Sequence, residues 1–148
     1  PWQVIVQEVE NFKPKFEQAR LTVSAQGEGA DLQLDIDRFK QIMVNLLGNS
    51  IRYTEAGGEV RIHTEQNDAY WMVYVDDSPL GLSDEQLANL GQRFYRVDDS
   101  RTRSTGGTGL GLALSGKIAQ AMGGELSFDH SPLGGLRCKL SFPKQVNS

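Results

Sequence analysis

The chain has 148 residues, 39% of them hydrophobic, and a formal net charge of -4, which suits one soluble globular domain with a sizeable core and leaves little room for a second. The acidic balance disfavours a dedicated nucleic-acid binder, which presents a basic surface, and no run approaches the roughly 18 apolar residues of a membrane span. A single cysteine, Cys138, excludes an internal disulfide.

The chain opens at Pro1 with neither a methionine nor the basic-then-apolar pattern of a signal peptide, so it reads as a portion of a longer protein. From Val4 to Arg20, the residues Val4, Ile5, Val9, Phe12 and Phe16 recur at helical spacing, with Pro14 as a kink or break. Two short strands are expected next, Leu21 to Ala25 and Leu32 to Ile36, separated by the turn-prone Gly27-Glu28-Gly29. Asp37 to Tyr53 predicts a strong helix whose apolar face is Phe39, Ile42, Met43, Leu46, Leu47 and Ile51. After the Gly57-Gly58 turn come two alternating strands, Glu59 to Glu65 and Ala69 to Asp77, joined as a hairpin through Gln66-Asn67-Asp68.

Ser83 caps a short helix, with Asp84, Glu85 and Gln86 in its first turn. Residues 89–108 lose periodicity and gather Arg, Asp, Ser, Thr and Gly, the pattern of a long functional loop. A last helix, Leu110 to Met122, carries Leu110, Ala113, Leu114, Ile118 and Ala121 on one side, and two terminal strands, Glu125 to Asp129 and Leu136 to Phe142, flank the turn at 131–135. The pattern predicts an α+β sandwich of two layers, with about three helices on one face of a mixed, mostly antiparallel sheet of about five strands. Strict βα alternation is missing, which disfavours a doubly wound nucleotide fold.

Three features carry chemistry. On the second helix, Asn45, Asn49 and Arg52 fall at i, i+4 and i+7 and so share a face opposite the apolar stripe. Asparagine is a poor choice for a solvated helix face, whereas an amide oxygen can complete a magnesium shell beside phosphate oxygens, and Arg52 can offset phosphate charge. The plain alternative is an ordinary solvated face. Asp77 ends a strand in which Trp71, Val73 and Val75 share its parity, so its carboxylate is aimed inward and needs a partner such as an exocyclic amine, adenine N6 among them. The alternative is that the strand has ended and Asp77 swings into solvent; Asp76, on the opposite parity, is expected at the surface.

The third feature is Gly106-Gly107-Thr108-Gly109-Leu110-Gly111, running straight into a helix. Glycines there make sense if a phosphate must approach exposed N–H groups at the helix start. Gly111 to Ile118 nearly spells a P-loop, but Ile118 replaces the magnesium-binding Ser or Thr and the segment lies within an apolar-periodic helix. His63 and His130 have no metal-spaced partners and take structural roles, and Cys138 reads as a small buried thiol.

Taken in order, these pieces resemble the catalytic domain of bacterial sensor histidine kinases, within the wider group of gyrase, Hsp90 and MutL ATPases that share the Bergerat fold. The segment from Asp35 through Asn45 and Asn49 to Thr54 is similar to the family's N box, Asp77 to Leu82 to its first glycine box, Arg93-Phe94-Tyr95-Arg96 to its F box, and Gly107 to Leu112 to its second glycine box. Within the family the chain looks closest to envelope-stress sensors of Gram-negative bacteria.

The resemblance implies a single ATP-binding catalytic domain over 1–148, in which Asn49 holds Mg2+ and Asn45, Arg52 and Tyr53 line the phosphate side. It further implies that Asp77 accepts from adenine N6 and that Gly81 permits close approach at the base. In the lid at 89–108, Tyr95, Arg96 and Arg101 meet ATP, while Gly107, Thr108, Gly109, Leu110 and Gly111 give backbone contacts.

Pro79, Leu80 and Gly91 depart from the family's pattern, and Gly91 in place of an aromatic predicts a mobile lid and weak ATP retention. Where the hydrolysing relatives carry a glutamate as general base, this chain has Asn45, which favours transfer to an external nucleophile. The implied acceptor is a histidine on a separate dimeric helical hairpin preceding Pro1, and it would in turn supply a response regulator. The domain itself is expected to be a cytoplasmic, monomeric part of a homodimeric inner-membrane kinase, without nucleic-acid or direct membrane contact. A hydrolysing ATPase of the same fold and a degenerate, nucleotide-free module are the rival readings.

Overall fold

The computed structural model describes residues 1–30, 32–78 and 110–144. Helix α1 (Trp2–Gln18) buries Ile5, Val9, Phe12 and Phe16, the residues whose spacing predicts it. It runs through Pro14 without a break, because Pro14 and Glu10, whose carbonyl loses its amide partner, are both on the exposed side.

Strand β1 (Thr22–Gln26) follows, but the strand expected at 32–36 does not form. Leu32 and Leu34 pack on the core without joining the sheet. Their alternation therefore reports one-sided packing. The segment ends at Asp35, which caps helix α2 (Ile36–Tyr53) by accepting from the Arg38 amide at 3.2 Å.

Strands β2 (Glu59–Gln66) and β3 (Tyr70–Asp77) form the expected hairpin. Asn67 shapes its turn, since its Oδ1 accepts from the amides of Ala69 and Tyr70, each at 2.8 Å. Helix α3 (Leu110–Ala121) leads to β4 (Glu125–His130) and β5 (Leu136–Pro143). The five strands order as β1-β2-β3-β5-β4, with β1 parallel to β2 and the remaining pairs antiparallel. This is the mixed, mostly antiparallel sheet that the sequence predicts, with β3 at its centre.

One face of the sheet carries the core. Phe39 of α2 stands 5.9 Å, ring to ring, from both Trp71 of β3 and Phe142 of β5, and Ile42, Met43, Leu46 and Leu47 are buried around it. Cys138 is buried in β5, where burial pushes its thiol well above the ordinary range.

Helix α3 corrects the expected apolar stripe. Leu112, Ala113, Ser115 and Ala119 are buried, while Leu114 is 47% exposed and Ala121 is exposed. The run Leu110-Gly111-Leu112-Ala113-Leu114 is apolar on every side, so it carries no helical phase of its own. Packing on α2 and β4 sets the phase instead.

Candidate functional site

The polar face of α2 is covered rather than solvated. Asn49 is only 4% exposed, and Asn45 ties α2 to α3, its Nδ2 donating to the buried Ser115 Oγ at 3.0 Å while its Oδ1 accepts from Gln41 Nε2 at 3.2 Å. One turn on, Arg52 is half-buried and Tyr53 buried. At the helix end Thr54 is buried, and its Oγ1 has no hydrogen-bond partner among the described residues.

That helix end meets the end of β3. A Cβ built on Gly58 would fall 2.5 Å from Ser78 Oγ and 2.8 Å from Thr54 Cγ2, so the residue after Asp77 and the last turn of α2 converge on one point. Ser78 Oγ also accepts from the Glu59 amide at 2.7 Å, which pins the strand end to β2.

Asp77 does not swing into solvent. It is 3% exposed, on the parity of Trp71, Val73 and Val75. Its Oδ1 accepts from the Leu136 amide at 2.7 Å, and its backbone carbonyl accepts from the Gly135 amide at 3.1 Å. Burial raises its pKa to about 7; the Leu136 hydrogen bond opposes that shift and the neighbouring Asp76 charge adds to it. Among the described residues, Oδ1 is the side-chain oxygen with a hydrogen-bond donor, in a setting where a buried carboxylate needs partners.

Asp76, expected at the surface, is instead 1% exposed. The cause lies on β5, where Arg137 forks onto it, Nε to Oδ1 at 2.7 Å and Nη2 to Oδ2 at 2.9 Å. Arg137 also covers the Tyr74 ring at 4.5 Å. His63 takes a structural role, stacked on Tyr74 at 4.7 Å with Nδ1 3.7 Å from Asp76 Oδ2.

Sequence reading missed Ser115, Gly135, Leu136 and Arg137. Ser115 had a signal, a lone hydroxyl within an apolar helix. The other three act across strands some 58 to 61 residues from their partners, a distance that no local pattern reports. Gly81, Tyr95, Arg96, Arg101, Gly107, Thr108 and Gly109 lie outside the described residues, as do the short helix at Ser83 and the lid at 89–108. Leu110 opens α3, and Gly111 follows in its first turn.

The donor set fits a magnesium-bound nucleotide. No group of three or more His, Cys, Asp or Glu side chains that could hold a metal is found among the described residues; Asn49 offers a neutral amide oxygen of the kind that can join phosphate oxygens around a divalent ion. Among the described residues, the buried Thr54 hydroxyl has no hydrogen-bond partner, and the Asp77 side chain accepts from the Leu136 amide.

Residues 34–146 match the family model described as histidine kinase-, DNA gyrase B-, and HSP90-like ATPase. Among curated relatives, the signal transduction histidine-protein kinase BaeS of Escherichia coli (strain K12) is 44% identical over 109 residues, covering 74% of this chain and 23% of that protein. The chain thus spans under a quarter of the length of that relative. Among solved structures, the catalytic domain of histidine kinase ThkA superposes with a TM-score of 0.81 at 24% identity, covering 96% of this chain and 91% of that one. ThkA in complex with response regulator protein TrrA gives 0.77 at 23% identity, over 97% of this chain and 40% of that one. Both likenesses show the fold. The chain belongs to the histidine kinase-, DNA gyrase B- and HSP90-like ATPase family.

Proposed function

We propose that this domain binds Mg-ATP and delivers the γ-phosphoryl group to a histidine on a separate dimeric helical hairpin, from which a response regulator is supplied. The observation that carries the reading is Asp77, a buried carboxylate with one oxygen fixed and its pKa near 7, set at the end of β3, where the next residue, Ser78, meets Thr54 at the end of α2 across Gly58. Asp77 accepts from the adenine amine, and Asn49 offers its amide oxygen to magnesium. Magnesium, when bound, offsets charge on the phosphate oxygens. Arg52 adds positive charge on the same helix, and Tyr53 lines the phosphate side. A Cβ built on Gly111 meets nothing within 4 Å. Packing among the described residues therefore gives no reason for a glycine there, while close approach of a phosphate to the start of α3 does. Gly81, Tyr95, Arg96, Arg101, Gly107, Thr108, Gly109 and Leu110 complete the proposed nucleotide contacts.

Asn45 decides the reaction class. Its amide cannot take a proton from water, and its Nδ2 is engaged by Ser115, so no general base stands where hydrolysis would need one. A neutral imidazole already offers a lone pair and needs only positioning and charge neutralisation. The proposed partners are the domain's own upstream hairpin and a response regulator, the kind of partner held by ThkA in its complex with TrrA. The proposed setting is the cytoplasmic side of a homodimeric bacterial inner-membrane sensor of the envelope-stress type; no helix among the described residues is itself long and apolar enough to cross a membrane.

Radiolabelled ATP offered to the domain together with its hairpin tests the proposal. Label is expected on the hairpin histidine, lost with Asn49→Asp, and free phosphate release is expected to rise from near zero only in Asn45→Glu. Calorimetry that shows no heat with a non-hydrolysable ATP analogue and magnesium at millimolar ligand would overturn it in favour of a nucleotide-free module. Steady hydrolysis by the unmodified domain would favour the ATPase rival.

A further inference from the structure

Gly135 has no conformational need to be glycine. Gly134 beside it takes a positive φ of 100°, but Gly135 does not. What Gly135 has is a close approach. A Cβ built there would fall 2.3 Å from Asp77 Oδ1, 2.5 Å from the Ser78 carbonyl and 2.6 Å from the Asp77 carbonyl. Two of these are backbone atoms, Asp77 in the β2–β3 ladder and Ser78 tied by its amide to the Glu59 carbonyl, and cannot give way cheaply; the third is the carboxylate itself. The bare Cα thus lets the start of β5 lie directly against Asp77, where the Gly135 amide donates to the Asp77 carbonyl and the Leu136 amide to Oδ1.

We propose that Gly135 is a positioning residue for base recognition: by letting the Leu136 N–H hold Oδ1, it leaves Oδ2 as the one oxygen offered to a 6-aminopurine. The inference rests on the reading of Asp77 as the adenine acceptor. A carboxylate free to rotate in a dry setting would present either oxygen and lose part of each hydrogen bond to disorder, whereas one held by a fixed amide is preorganised. The same bond favours the ionised form that accepts best, against the burial that opposes it. Among the described residues, the other ionisable groups close by are Asp76, neutralised by Arg137 on the opposite face, and Cys138, whose thiol burial keeps neutral.

The test compares ATP with purine riboside triphosphate, which lacks the 6-amino group, by calorimetry on the 148-residue chain with magnesium. The unmodified chain is expected to prefer ATP by about 10-fold or more, the worth of a hydrogen bond to a charged group. Gly135→Ala is expected to reduce that preference to within about 3-fold while the affinity for the purine analogue changes little. A merely structural role would weaken both ligands alike. In an Asp77→Asn background, Gly135→Ala is expected to have no further effect on the preference, and an additive loss would overturn the proposal.

Should Gly135→Ala not fold, the Leu136 amide proton of the unmodified chain decides without nucleotide: its chemical shift is expected to titrate with the Asp77 carboxyl. A Leu136 amide indifferent to that titration overturns the positioning role. A chain that binds neither triphosphate while that titration is seen overturns the nucleotide reading, and the base-recognition role with it, but not the hold of the Leu136 amide on Asp77.

Discussion

Asp76 and Asp77 are neighbours on one strand, both buried, and the protein treats them in opposite ways. On the open face of the sheet, Asp76 receives a two-pronged guanidinium from Arg137, with the Tyr74 ring and His63 packed around it. On the core face, Asp77 receives one backbone amide and no cation among the described residues, and its pKa climbs to about 7. A fully partnered charge holds strands together, while an under-partnered one is unfavourable in the empty domain and waits for a donor. The difference sets the two carboxylates apart more clearly than exposure does, since the two are 1% and 3% exposed.

The comparison breaks most forcefully at Arg137. Arg137→Met leaves Asp76 buried without its cation and is expected to cost about 3 kcal/mol in urea unfolding; a loss under about 0.5 kcal/mol would mean that the pair is not what stabilises the β3–β5 end. Asp77 is expected to behave in the reverse sense. Its folded pKa of about 7 lies above the roughly 3.9 of an unfolded aspartate, so between those values the native chain holds a proton that the unfolded chain has released. Stability therefore falls as pH rises from about 4 to about 7 and stays low above it. Asp77→Asn is expected to flatten that decline and to raise stability at pH 8 by roughly 2 kcal/mol while weakening ATP. Thermal midpoints across pH 4 to 8 that fall equally in both chains would refute the assignment.

The smallest effect belongs to the contact that ties the polar face of α2 to α3. Ser115→Ala removes the acceptor for Asn45 Nδ2 and is expected to cost about 1 kcal/mol by chemical denaturation. A loss several times larger would move the structural burden from the Asp76 side of the sheet to the helix layer.

The amino-acid sequence by itself determined the elements whose signals are local. Helix α1 follows from Ile5, Val9, Phe12 and Phe16, α2 from its Phe39-to-Leu47 stripe, and the β2–β3 hairpin from alternation around Asn67, because 3.6- and 2-residue periods are properties of the chain itself. The inward parity of Asp77 was legible on the same ground. Tertiary structure alone decided that Leu32 and Leu34 pack without a strand, that α3 turns Ser115 inward and Leu114 outward, and that Asp76 is buried. Each of those outcomes depends on a partner far along the chain: core packing beneath Leu32 and Leu34, Asn45 for Ser115, Arg137 for Asp76. Burial of a polar group is settled by whether a complementary group arrives across the sheet or the helix layer, and periodicity says nothing about that arrival.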